Sequence, residues 1–387
     1  PGYTGEVRVP MSSIAAMELG QRKVIARRAA FELRPNQIVN LGIGMPEGVA
    51  RVANEEGVLD LLTLTAEPGV FGGMPNGGLN FGTGTNVDAL IDQPYQFDFY
   101  DGGGLDIAFL GSAEMDKDGN VNVSKFGSRF VGPGGFINIS QNAKRLVFLG
   151  TFTAGGLEIA LEEGKLQIKQ EGREQKFLKQ VEQITFSGKY AAQRRQPVLY
   201  ITERCVFSLT RDGMELIEIA PGVDLEKDIL AKMGFKPVMK KPPNLMDPRI
   251  FMSGAMGLKR DMLEIPFEDR LVYDAKDNTF YVNFENFYVK SSEQIRKIQN
   301  HVEKMLKPLG KKVYTIVNYD NFNIHPELVE EYAEMVKHAM QFYERVTRYT
   351  TSTFLRMKLG DELAKREVPP HLYESKDEAH KRLKEKE

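Results

Sequence analysis

Hydrophobic positions divide the first two-thirds of the chain into short apolar runs separated by glycine-rich loops. After an extended lead-in over 1–20, Ile25, Ala29 and Leu33 recur at four-residue spacing and predict a helix over 21–33, with Pro35 as its stop. Gln37-Ile38-Val39-Asn40-Leu41 reads as a strand, followed by Gly42-Ile43-Gly44-Met45-Pro46 and a helix that Gly57 closes. A second strand over 59–65 runs into Glu67. Strand, helix and strand in so short a span predict a parallel, right-handed crossover unit. Further buried strands are expected at 105–111, 146–150, 198–209 and 214–219, and a charged hairpin at 161–185. The expected fold is α/β: an open, mostly parallel sheet flanked by helices.

Prolines and lysines cluster without periodicity over 236–249, and the pattern changes beyond them. A domain break is therefore expected at 245/246, between a domain over 1–245 and a C-terminal α+β/helical extension over 246–387. Within the extension, 262–320 reads as a small β-β-α-β unit and 324–387 as helical, with amphipathic helices over 326–365 and a charge-rich tail.

At Glu67 the apolar strand ends on a carboxylate followed by Pro68-Gly69-Val70-Phe71-Gly72-Gly73. Pro68 disfavours the helical region for Glu67, and glycine lets a ligand approach the backbone closely. An ordinary turn acid in solvent is the plainer alternative. Gly42 and Gly44 open backbone N–H groups at a helix start, suited to an anion or a carbonyl oxygen; a dinucleotide fingerprint would need a third glycine. Gly132-Pro133-Gly134-Gly135-Phe136 can present N–H groups to a developing oxyanion.

Composition narrows the chemistry. All five histidines (His301, His325, His338, His371, His380) lie in the last quarter of the 387 residues, which weakens Ser-His, Cys-His and His-metal schemes for the main domain. No metal site is expected; Asp116-Lys117-Asp118-Gly119 lacks the rest of a calcium loop and reads as a turn. The single cysteine, Cys205, is expected in the core and fits a reducing cytoplasm. A formal charge of −2 provides no field for nucleic acid or an anionic membrane, and no apolar run reaches the ~20 residues of a span.

Taken together, Asn40-Leu41-Gly42-Ile43-Gly44-Met45-Pro46, Thr65-Ala66-Glu67-Pro68-Gly69, Tyr100-Asp101-Gly102-Gly103-Gly104, Gly134-Gly135-Phe136-Ile137-Asn138 and Ile219-Ala220-Pro221-Gly222 resemble the family I CoA-transferases. The resemblance is to the catalytic second, beta-type half of bacterial acetate CoA-transferases and runs over about 5–249. Related ketoacid transferases carry Ser-Glu-Asn-Gly where this chain has Ala66-Glu67-Pro68-Gly69, so the acceptor acid can differ.

The resemblance implies Glu67 as nucleophile, with Gly42, Gly44, Gly134 and Gly135 as oxyanion or CoA donors and Lys144 at a CoA phosphate. It implies coenzyme A or acyl-CoA as substrate rather than a permanently bound cofactor, and a short-chain carboxylic acid as co-substrate. Partners would be the first, alpha-type half as a separate subunit or segment, and an oligomer. Acyl-CoA hydrolysis on the same glutamate, or a non-catalytic CoA-binding or assembly subunit, are the alternatives.

Overall fold

The computed structural model describes residues 6–263, 265–320, 322–350, 356 and 371–383. They form two compact units, Pro1–Met262 and Leu263–Glu387.

The first unit is built on β1 (Ile38–Leu41), β2 (Thr63–Ala66), β3 (Val70–Phe71), β4 (Ala89–Leu90), β5 (Ile107–Gly111), β6 (Arg145–Leu149), β7 (Val198–Ile201), β8 (Cys205–Thr210), β9 (Gly213–Ile219) and β10 (Asn244–Leu245). They form one sheet in the order β10-β9-β8-β7-β6-β5-β1-β2-β3-β4. The five central strands, from β7 to β2, run parallel; antiparallel pairs extend the sheet on both sides, and β10 joins β9 in parallel at one end. Leu146 to Leu149 of β6 are all buried because helices cover both faces of the sheet, and successive side chains enter opposite cores. Val39, Leu41, Leu64 and Val147 pack with α1 (Gln21–Ala30) and α2 (Glu47–Glu55). Ala108, Leu146 and Phe148 pack with Tyr100 of α3 (Gln93–Asp101) and Phe136 of α4 (Phe136–Asn142). The hairpin expected within 161–185 pairs Glu158–Glu162 with Lys165–Gln170.

The unit ends later than the expected break at 245/246. Arg27 of α1 is buried and donates to the carbonyls of Arg249, Met252 and Gly254. Glu56 accepts from the N–H groups of Met256 and Leu258 at 2.7 and 3.0 Å, while Ile250, Phe251, Met256 and Leu258 join the α1/α2 core. Residues 246–262 are therefore part of the first unit, since removing them would strand two buried charges.

The second unit contains β11 (Leu271–Asp274), β12 (Thr279–Asn283), β13 (Val313–Asn318), β14 (Tyr343–Tyr349) and β15 (Leu372–Tyr373), hydrogen-bonded in that order. The β11–β12 hairpin is antiparallel and the remaining pairs are parallel. The long helices connect them: Ser292–Leu306 lies between β12 and β13, and Val329–Ala339 between β13 and β14. The helical reading of 324–387 holds over Val329–Ala339 and Lys376–Leu383 and is corrected between them. The first helix stops near Ala339, and Tyr343-Glu344-Arg345-Val346-Thr347-Arg348-Tyr349, rich in aromatic and β-branched residues, completes a parallel ladder with β13. Residues 351–355 and 357–365 of the expected helices lie outside the described residues.

Candidate active site

Because β1, β2, β5, β6 and β7 are parallel and in step, the loops starting at Gly42, Glu67, Ser112, Gly150 and Thr202 all leave one edge of the sheet. In open α/β sheets this carboxyl edge is where ligands bind. Glu67 leads the three-residue hairpin loop between β2 and β3, closed by Gly69 N–H to Ala66 O at 3.1 Å. Gly69 has a φ of +120°, and a Cβ there would meet the Ile91 carbonyl oxygen at 1.9 Å, so this turn requires glycine.

The Glu67 side chain is half-buried, and the N–H of Gly135 donates to it. Burial raises its carboxyl above the usual range and the Gly135 bond pulls it back, with a net upward shift. A Cβ on Gly135 would lie 2.6 Å from Glu67 Oε2 and 2.5 Å from Phe97 Cζ. The second glycine loop therefore folds against the acid.

Under Glu67 lies a buried polar network. Tyr100 Oη donates to Thr65 Oγ1 at 2.9 Å and accepts from Asn40 Nδ2 at 3.0 Å and Gln96 Nε2 at 2.6 Å. Thr65 Oγ1 donates on to Val39 O, and Gln96 Nε2 also reaches Ala66 O. These bonds pin the ends of β1 and β2 to α3, and with them the position of Glu67. Asn40 Oδ1 and Gln96 Oε1 are buried without a partner, a cost concentrated next to the acid.

The other expected site residues distribute unevenly. Gly42 N–H donates to Phe109 O at 2.9 Å, within the sheet ladder, and Gly44 N–H donates to Glu47 Oε1 at 2.7 Å. Both are at the right edge, but both N–H groups are occupied. Glu47 Oε1 also accepts from Gly78 N–H at 3.2 Å, so this acid fastens the first glycine loop to the 72–84 loop. Gly134 is exposed, with φ of +53°.

Lys144 is not at the site. It immediately precedes β6, at the opposite edge of the parallel strands from Glu67, and its Nζ pairs with Asp106 Oδ1 at 2.7 Å. A cation that does sit at the carboxyl edge is Lys176, which the sequence reading overlooked. It is buried, its Nζ would lie 2.6 Å from a Cβ on Gly150, and burial pushes its ammonium down to about 8 despite Glu203 nearby. Cys205 is buried in the core, where burial pushes its thiol up and keeps it protonated. Among the described residues no group of three or more His, Cys, Asp or Glu could hold a metal ion, and no helix is long and apolar enough to cross a membrane.

No family-wide sequence model matches the chain. It is 50% identical over 254 residues to the acetate CoA-transferase YdiF of Escherichia coli (strain K12), covering 66% of this chain and 48% of that protein. It is likewise 50% identical over 263 residues to the caffeate CoA-transferase of Acetobacterium woodii, covering 67% and 50%. A solved structure of acyl-CoA transferase YdiF from E. coli O157:H7, a thioester complex with CoA, matches with a TM-score of 0.59 at 50% identity, over 63% of this chain and 46% of that one. The chain belongs to the family I CoA-transferases. It spans about half the length of the curated CoA-transferases it matches.

Proposed function

We propose that this chain is the catalytic half of a CoA-transferase that moves CoA between a short-chain acyl-CoA and a carboxylic acid such as acetate, with Glu67 as the covalent carrier. The observation that carries this reading is the contact of Gly135 N–H with the Glu67 carboxylate on the carboxyl edge of the sheet.

In the first step the Glu67 carboxylate attacks the thioester carbonyl; the C–S bond breaks, and an acyl-glutamyl anhydride and CoA thiolate form. The thiolate then attacks the glutamyl carbonyl, the acid leaves as its carboxylate, and a glutamyl-CoA thioester remains. The second acid runs the same steps in reverse. Carboxylate and thiolate are both anionic at neutral pH, so no imidazole is required. When the thiolate attacks, the oxyanion develops on a carboxyl oxygen of Glu67 itself, the group to which Gly135 N–H already donates.

A second polypeptide or segment, the alpha-type half, would complete the site. Two observations support it. The chain spans about half the length of the first of its relatives, and Ile43, Leu79, Leu90 and Phe130, in loops, a 3-10 turn or short strands of this unit, are exposed.

Incubation with acyl-CoA, trapping with hydroxylamine or borohydride and peptide mapping tests the reading. An adduct at Glu67 whose turnover depends on added acetate supports CoA transfer, whereas turnover in water alone identifies a hydrolase. Absence of an adduct even with the complementary half supplied would overturn it.

A further inference from the structure

The turn that carries Glu67 continues into a second hairpin. After β3 and the pair Gly72-Gly73, Met74–Pro75 pairs antiparallel with Gly84–Thr85. Asn76 N–H donates to Thr83 O at 2.9 Å, and the Asn76 side chain donates to Thr83 Oγ1 and accepts from Thr85 Oγ1. These bonds stitch the arms together below a 3-10 turn at Gly78–Asn80. The hairpin lies on the turn of the acid itself. A Cβ on Gly82 would stand 3.0 Å from Pro68 Cγ, and one on Gly84 3.1 Å from Val70 Cγ1. A shift of the hairpin therefore bears directly on Pro68, the residue after Glu67.

One side chain from outside holds the tip. Glu47 opens α2, and its Oε1 accepts from Gly78 N–H in the tip and from Gly44 N–H in the loop leaving β1. Its Oε2 lies so near Gly77 that a Cβ there would be 2.1 Å away. Gly77 has a φ of −110° and a ψ of 179°, extended backbone open to any residue, so the carboxylate and not the conformation demands glycine here. Leu79 beside it is fully exposed, so packing of that side chain adds nothing to the hold. Bonds to an ionised acceptor are about twice as strong as neutral ones, which suits one carboxylate to this task.

We infer that Glu47 is a positioning residue for Glu67. By tying the hairpin tip to the loop after β1, it keeps the hairpin seated on Pro68 and fixes the pose in which the acid meets Gly135. This role rests on the CoA-transfer reading and adds to it a residue that acts through the hairpin rather than on the reacting atoms.

Two substitutions break the contact from opposite sides. Glu47→Ala removes the carboxylate, and Gly77→Ala puts a methyl group where Oε2 lies. Misplacing a reacting group by 1 Å can cost about 10² in rate, so each variant is expected to slow adduct formation at Glu67 by about tenfold or more at saturating acyl-CoA, with the complementary half supplied. The double variant is expected to be no slower than Glu47→Ala, because both changes remove one contact. Glu47→Gln keeps an acceptor at Oε1 and is expected to recover most of the rate. Hydrogen exchange over 42–48 and 74–84, read by mass spectrometry, follows the hold itself and is expected to quicken in both single variants. Circular dichroism establishes folding, and Gly77→Ala carries the test should Glu47→Ala not fold. Unchanged exchange, an unchanged adduct rate in a folded single variant, or effects that multiply in the double variant overturn the role of Glu47 alone, provided that wild type is labelled. Wild type that forms no adduct overturns the transfer reading and this role with it.

Discussion

Gly135 donates its backbone N–H to the Glu67 carboxylate from so close that a methyl group on Gly135 would stand 2.6 Å from Glu67 Oε2. Alanine at this position would have to push the acid, Phe97 or the loop aside. Gly135→Ala is therefore expected to slow adduct formation at Glu67 by about 10²–10³, the usual cost of losing one oxyanion donor. Single-turnover trapping with acyl-CoA, with the complementary half present, measures it.

The upward shift of Glu67 has a definite sign. Its folded-state pKa lies above the ordinary glutamate value of about 4.3, so the folded chain holds the proton more tightly than the unfolded one. Stability from this group is fully present below about pH 4.3 and is lost as pH rises through the folded value. Glu67→Gln is neutral throughout. The stability of the variant relative to wild type should rise with pH across that window and then level off, as read from urea midpoints. Its adduct should be absent at every pH.

Tyr100→Phe removes the hydroxyl shared by Asn40, Thr65 and Gln96 and leaves buried donors unmatched. A loss of about 1–3 kcal/mol is expected in denaturant unfolding. Adduct formation should also slow, because the network holds the strand ends next to Glu67.

Lys144→Met is expected to leave CoA binding unchanged and to alter stability by no more than about 1 kcal/mol, since its partner contact is an exposed ion pair. A tenfold loss of CoA affinity would reinstate the role first expected for it.

Lys176 should give the opposite pH signature to Glu67. Its folded pKa of about 8 lies below the ordinary lysine value of about 10.4, so the unfolded chain binds more protons between them. Wild type should gain stability relative to Lys176→Met as pH rises from about 8 to about 10.4, and show no such gain between pH 6 and 7. Urea midpoints of the two proteins across this range check it.

These residues differ in how plainly the sequence displayed them. Glu67 was legible because its signal is local: an apolar strand, one acid, then Pro68 and Gly69. The 132–136 loop was legible as a donor loop, although nothing local reveals that Gly135 touches Glu67, 68 positions away. Asn40, Thr65, Gln96 and Tyr100 come from three different elements, and only the register of β1 with β2 and the packing of α3 bring them together. Lys144 misled for a simple reason. It closely follows a site loop in sequence, but a residue that opens a parallel strand lies at the edge away from the residues that close it. The strand over Tyr343–Tyr349 was hidden because its charged residues break the alternation, and its partner strand, not its own pattern, decides its conformation.

The contacts made by Arg27 and Glu56 with residues 249–258 also determine where this protein can be cut. A chain ended at 245 would expose the α1/α2 core and leave a guanidinium and a carboxylate facing the wound. One ended at 262 keeps every one of those partners, and is a shorter piece with which the role proposed for Glu67 can be tested apart from the second unit.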